Sequence, residues 1–153
     1  MQLFVMRHGE ASYDAPTDDE RELTERGVGI VCIVAEQHKQ ELASVDVILH
    51  SPLVRARQTA EFVAQSAELS CPMEEVSFLR PETSPQKLAD ELAKRSEKTI
   101  LLVSHQPFVS RVLDWLTGSG VGFHPMTTAS IAKLECDIPA ENLAELHWLH
   151  HPS

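Results

Sequence analysis

"FVMRHGE", Phe4–Glu10, sets an apolar run directly against Arg7, His8 and Gly9. With Leu3, the run Leu3–Met6 reads as a short, fully apolar strand, the kind covered on both faces. A guanidinium and an imidazole then stand where that strand leaves the core. Either the strand simply ends and polar residues begin, or its end is a platform for chemistry.

The same ending recurs twice: "VILHS" stops at His50 and "LLVSH" at His105. Around these runs the chain alternates in period. Thr24 caps an expected helix to about Leu42, with Val28, Val31, Ala35 and Leu42 on one face. Val45–Leu49 is a β-branched strand, and Ser51-Pro52 opens a helix from Leu53 to about Glu68, with proline in its first turn. Glu75–Leu79 is expected as a third strand, and Ser84-Pro85 starts a helix through Leu88, Leu92 and Ala93. Thr99–Ser104 is a second wholly apolar strand, followed by a helix from Pro107 to about Leu116. Strands over Ser130–Glu135 and Leu143–Leu149 complete the chain. Strands alternating with helices predict βαβ units: a three-layer α/β/α sandwich on a mainly parallel sheet, one domain over 1–153. In such sheets ligands bind beyond the carboxyl ends of the strands, where helix N-termini favour anions.

Composition narrows the class. The 153 residues are 42% apolar and 24% charged, an ordinary globular balance. No stretch approaches the ~20 apolar residues of a membrane span, and Leu3–Met6 is too short for a signal-peptide core. Cys32, Cys71 and Cys136 are odd in number and widely spaced, which excludes a disulfide framework or zinc knuckle and points to the cytoplasm; Cys32 is expected in the core. A net charge of −10 argues against nucleic acid, and it requires that any anionic substrate be met by a local cationic pocket.

Arg7, His8, Arg55 and His105 can form such a pocket. Arginine binds phosphate through a planar fork of donors and keeps its charge at any working pH. Arg57 lies about 200° round the helix from Arg55 and must point elsewhere. No Walker loop, Cys-x5-Arg loop or metal cluster competes for the role.

"RHGEA" (Arg7–Ala11), "SPLVRARQTAE" (Ser51–Glu61) and "SHQP" (Ser104–Pro107) resemble the signature segments of the histidine phosphatase superfamily, also called phosphoglycerate-mutase-like. "RELTERG" (Arg21–Gly27) resembles a fourth. The short length, "PMTTASIAKLE" (Pro125–Glu135) and the opening residues are most similar to the SixA-type protein phosphohistidine phosphatases. The resemblance implies His8 as the phosphorylated nucleophile and Arg7 and Arg55 as phosphate ligands. It implies His105 as the histidine that hydrogen-bonds the transferring phosphoryl group, and Arg21 as an additional basic residue near the pocket. His50 and Arg57 fall in variable slots.

The implied activity is metal-independent removal of phosphate from a histidine-phosphorylated signalling or phosphotransfer protein, without cofactor, by a monomer. The arginines are expected to disfavour His8 protonation. Glu10 and Glu82 are the candidates for a general acid. Two rival readings remain: a phosphomonoesterase acting on small molecules, and a phosphate-binding regulatory module without turnover. "GSGVG" (Gly118–Gly122) is expected to be a connection, and the acidic run Asp18, Asp19, Glu20 and Glu22 a solvated loop. His147, His150 and His151 read as strand and tail rather than a metal site.

Overall fold

The apolar opening run is the inner strand of a sheet. In the computed structural model, which describes residues 1–152, β1 (Gln2–Arg7) lies between β4 (Thr99–Ser104) and β5 (Ile131–Cys136). With β2 (Val47–His50), β3 (Met73–Glu75) and β6 (Ala144–His150) the order is β3-β2-β4-β1-β5-β6. The first four of these run parallel; β5 and β6 add antiparallel pairings at one side.

Successive side chains of a strand face opposite ways, and the two apolar layers follow from that period. Leu3, Val5, Leu49, Ile100 and Leu102 pack under α4 (Pro85–Leu92) and α5 (Phe108–Thr117). Phe4, Met6, Ile48, Leu101 and Val103 pack under α1 (Glu25–Gln37) and α3 (Val54–Ser66). Leu3, Phe4, Val5 and Met6 are each no more than 1% exposed, and each such burial is worth about 1.5–3 kcal/mol. The expected three-layer α/β/α architecture is present, with the antiparallel pair at the edge.

Four local expectations are corrected. The helix expected to reach Leu42 breaks at His38 (φ −108°, ψ 15°), after which α2 (Lys39–Leu42) brings Leu42 back into the core. At the break the His38 ring stacks on Trp148 at 4.4 Å, and its Nε2 shares a 2.8 Å hydrogen bond with His150 Nδ1. Pro52 lies outside α3, which begins at Val54; Leu53 is its N-cap, and Ser51 Oγ accepts from the Leu53 amide. The expected strand Glu75–Leu79 is displaced: β3 ends at Glu75, and Ser77–Leu79 is a 3-10 turn that buries Leu79 beneath the Ser104 hydroxyl. Cys32 is only half-buried, because Val31, Val34 and Ala35 form the inward stripe of α1; Cys136, on β5, is the core cysteine.

Candidate active site

Register brings the two strand-end histidines together. Arg7 of β1 pairs with Ser104 of β4, so the next residues, His8 and His105, leave the sheet side by side. Their ring centroids are 5.1 Å apart and both residues are buried. His50 ends its strand earlier, because it pairs with Val103 rather than Ser104. Its Nδ1 donates to the Ser51 carbonyl, and it does not line the cavity.

The His8 backbone is clamped from both sides: its amide donates to Ser104 O and its carbonyl accepts from Ala129. Its ring Nδ1 lies 2.7 Å from the Gly9 carbonyl and must donate to it, since a carbonyl only accepts. The neutral ring therefore carries its lone pair on Nε2. Thr59 ties this turn to α3, accepting from the Gly9 amide at 3.0 Å and donating to Arg55 O at 2.7 Å. On the other side, α1 presses against the Glu10 backbone through Gly27, where a Cβ would lie 2.2 Å from Glu10 O. Thr24 caps α1 by accepting from the Gly27 amide, and its hydroxyl donates to Glu10 Oε1. "RHGEA", "RELTERG" and "SPLVRARQTAE" are thus three parts of one clamp.

A cavity of about 300 Å³ opens above the two rings, lined by Arg7, His8, Arg21, Arg55 and His105 together with Glu10, Tyr13, Gln106 and Thr128. All five predicted site residues meet there. Arg57 is turned outward and paired with Glu61 at 3.2 Å, as its position on the helix required. Glu82 does not line the cavity; it is an exposed partner of Arg80. Of the two acid candidates only Glu10 reaches the site.

Burial, more than charge, sets the protonation of both rings. Desolvation lowers the His8 pKa to about 4, with Arg55, Arg7 and Arg21 adding to the effect against the Gly9 hydrogen bond. The arginines were expected to be the cause and are the second one. His105 is lowered to about 3, again first by burial and then by His8 and Arg55. Three buried nitrogens around this cavity have no protein partner: Arg7 Nε, Arg55 Nε and His105 Nδ1. An anion-accepting site has that signature, since buried donors otherwise find acceptors.

Several contributors were not anticipated. Ser51, fully buried, holds His105 Nε2 at 2.7 Å. Asp18, read as part of a solvated loop, lies against both Arg55 and Arg21 at 3.1 Å, and Asp19 against Arg80. Tyr13 stands at the rim, with the Arg21 guanidinium 3.9 Å over its ring. These contacts join distant segments; the acidic run before Arg21 was the one local sign of them. A second cavity, about 390 Å³, lies beside α5, but its buried Asp114 is already occupied by the Gly122 amide and by the amide and Nδ1 of His124. At the far end of the chain, His151 Nδ1 hydrogen-bonds Ser130 Oγ. Among the described residues no three His, Cys, Asp or Glu side chains converge as a metal site, and no helix is long and apolar enough to cross a membrane.

The chain is similar to known proteins along nearly its whole length. It is 34% identical over 143 residues to a phosphohistidine phosphatase SixA homolog of Haemophilus influenzae, covering 86% of this chain and 87% of that protein. It is 31% identical over 145 residues to the phosphohistidine phosphatase SixA of Escherichia coli, covering 90% and 86%. The solved structure of the protein histidine phosphatase SixA complexed with tungstate superposes with a TM-score of 0.88 at 30% identity, over 99% of this chain and 97% of that one. The pattern of the histidine phosphatase superfamily (branch 1) matches residues 3–81, through the His8 turn, the Arg21–Gly27 clamp and the Arg55 helix. By pattern, relatives and fold alike, the chain belongs to branch 1 of the histidine phosphatase superfamily.

Proposed function

We propose that this protein is a phosphohistidine phosphatase that acts on histidine-phosphorylated signalling or phosphotransfer proteins through a phosphoenzyme on His8. The observation that carries the reading is His8 itself: a neutral imidazole, its tautomer set by Gly9, in a cavity with three arginines. Relatives at 31% and 34% identity that bear the name phosphohistidine phosphatase support it.

In the first step the His8 Nε2 lone pair attacks phosphorus in line, and the P–N bond to the substrate imidazole breaks. The substrate ring leaves with the electron pair of that bond and, protonated on its other nitrogen, departs neutral. Water then attacks the phosphoryl group, the P–Nε2 bond breaks, inorganic phosphate leaves and His8 is restored. Phosphoryl transfer calls mainly for positioning and for charge around the equatorial oxygens, which Arg7, Arg55 and Arg21 supply without a metal. Ser51 accepts from the Leu53 amide and can give its own proton to His105 Nε2, leaving Nδ1–H as a donor to the phosphoryl group. The protein works in the cytoplasm as a monomer.

The alternative, a phosphomonoesterase for small molecules, needs a proton donor for an alkoxide. Glu82 is bound to Arg80 outside the cavity, and Glu10 is held by Thr24. An imidazole leaving group relaxes that need. The test is kcat/KM on a phosphohistidine protein and on a simple phosphomonoester, for wild type and for Glu10→Gln, Glu10 being the acid candidate that lines the cavity. A strong preference for the P–N substrate, largely kept in the variant, is expected. Equal wild-type rates with a large loss on the phosphomonoester in Glu10→Gln would assign a phosphomonoesterase, and release of phosphate from neither substrate would leave a binding module.

A further inference from the structure

The 3-10 turn Asp18–Glu20 buries none of its residues, so core packing does not explain its place beside the cavity. Its contacts do. Arg55 Nη1 donates to the Asp18 carbonyl at 2.7 Å and Nη2 donates to Asp18 Oδ2 at 3.1 Å. The other carboxylate oxygen, Oδ1, accepts from Arg21 Nη1 at 3.1 Å. One exposed aspartate therefore spans two arginines of the site.

A guanidinium presents two donor edges: the end, between Nη1 and Nη2, and the side, between Nε and Nη2. Asp18 occupies the end of Arg55. The side edge contains Nε, which is buried and without a protein partner. An aspartate competing with phosphate would be expected on the edge that phosphate uses. Here the carboxylate grips one edge and leaves the other free. Arg21 is held on its other edge as well, its Nε donating to Ser12 O at 2.9 Å and its Nη2 to Ala11 O at 3.4 Å.

We propose that Asp18 is a positioning residue for the phosphoryl site: it holds the end of the Arg55 fork, and braces Arg21, so that the Nε edge of Arg55 meets the phosphoryl oxygens. This rests on the reading of the cavity as a phosphoryl site. The proposal runs against simple electrostatics, because removing a carboxylate beside an anion site should by charge alone tighten anion binding.

The test measures inorganic phosphate binding to the full chain by calorimetry, alongside kcat/KM on a phosphohistidine protein and thermal unfolding. Asp18→Ala should weaken phosphate about tenfold or more, the scale of a lost charge-assisted contact. It should lower kcat/KM in step, with only a small fall in melting temperature, because Asp18 is itself exposed although its partner Arg55 is buried. Asp18→Asn, which keeps an oxygen acceptor, should recover part of the loss. In an Arg55→Ala background Asp18→Ala should cost clearly less than in wild type, since only its brace on Arg21 is left to lose. Tighter phosphate binding in Asp18→Ala, or additive losses in the double variant, would overturn the positioning role while leaving the site intact. Arg55→Ala that binds phosphate as well as wild type would overturn the phosphoryl-site reading and this proposal with it.

Discussion

His8 follows directly on β1 under constraints that leave one ring nitrogen able to attack, and the first predictions belong to single side chains. His8→Ala should abolish turnover, and quenched wild-type reactions should carry an acid-labile phosphoryl group on the peptide containing His8; full activity in the variant would refute the mechanism. Since His8 is held neutral down to about pH 4, the initial rate should persist below the ordinary imidazole range and fall as pH approaches that value. The substrate's own acid hydrolysis is subtracted in that profile. Arg7→Ala and Arg55→Ala should each reduce the rate on the order of 10²–10³-fold, by analogy with lost oxyanion donors. Arg57→Ala should be nearly silent, because its guanidinium is spent on Glu61 at the surface. Equal sensitivity of Arg55 and Arg57 would mean that α3 presents a different face.

At the scale of elements, the site depends on how closely α1 approaches the turn after β1. Gly27 and Gly29 lie two residues apart on that helix and make a controlled pair. A methyl group at position 27 would lie 2.2 Å from the Glu10 carbonyl oxygen, a backbone atom that cannot swing aside. Gly27→Ala should therefore lift the helix from the turn, costing about 1–3 kcal/mol of stability as overpacking does, with a loss of activity. At position 29 nothing lies within 4 Å, and the residue is exposed within the helix. Gly29→Ala should stabilise the fold by about 0.5–1 kcal/mol, through helix propensity, and leave the rate unchanged. Denaturant melts and a phosphatase assay on the two variants check both signs.

For the molecule as a whole, burying two uncharged histidines links stability to acid. Both rings have folded pKa values depressed below the ordinary 6.5, to about 4 for His8 and about 3 for His105. The unfolded chain binds protons first, so stability is fully present above the unfolded pKa. It declines as pH falls from that value towards the folded ones. His8 alone contributes on the order of 3 kcal/mol across that window. The melting temperature should drop steadily between neutral and about pH 4, and His8→Asn, which does not titrate there, should flatten part of the slope. An unchanged slope in that variant would show that other groups carry the acid sensitivity. The net charge of −10 confines anion attraction to the arginine cavity, whose charge is local rather than general.

Sequence alone determined the parts that are local in the chain. Apolar runs broken by Arg7-His8 and by His105 marked strand ends, alternation with helices implied the layered sheet, and helical spacing separated Arg55 from Arg57. Four short segments in order identified the superfamily, because each is a contiguous turn or cap whose chemistry sits in neighbouring residues. The tertiary structure decided what depends on distant partners. Asp18 meets Arg55 across 37 residues and Ser51 meets His105 across 54, so neither contact leaves a periodic trace. Strand register supplied the physical reason why His50, already outside the site by the family resemblance, does not reach it. Burial, a property of the assembled layers, became the first cause of the neutral His8. The displaced β3 has the same origin: at a sheet edge the pairing with β2 ends at Glu75, and packing of Leu79 outweighs the strand preference of the residues between.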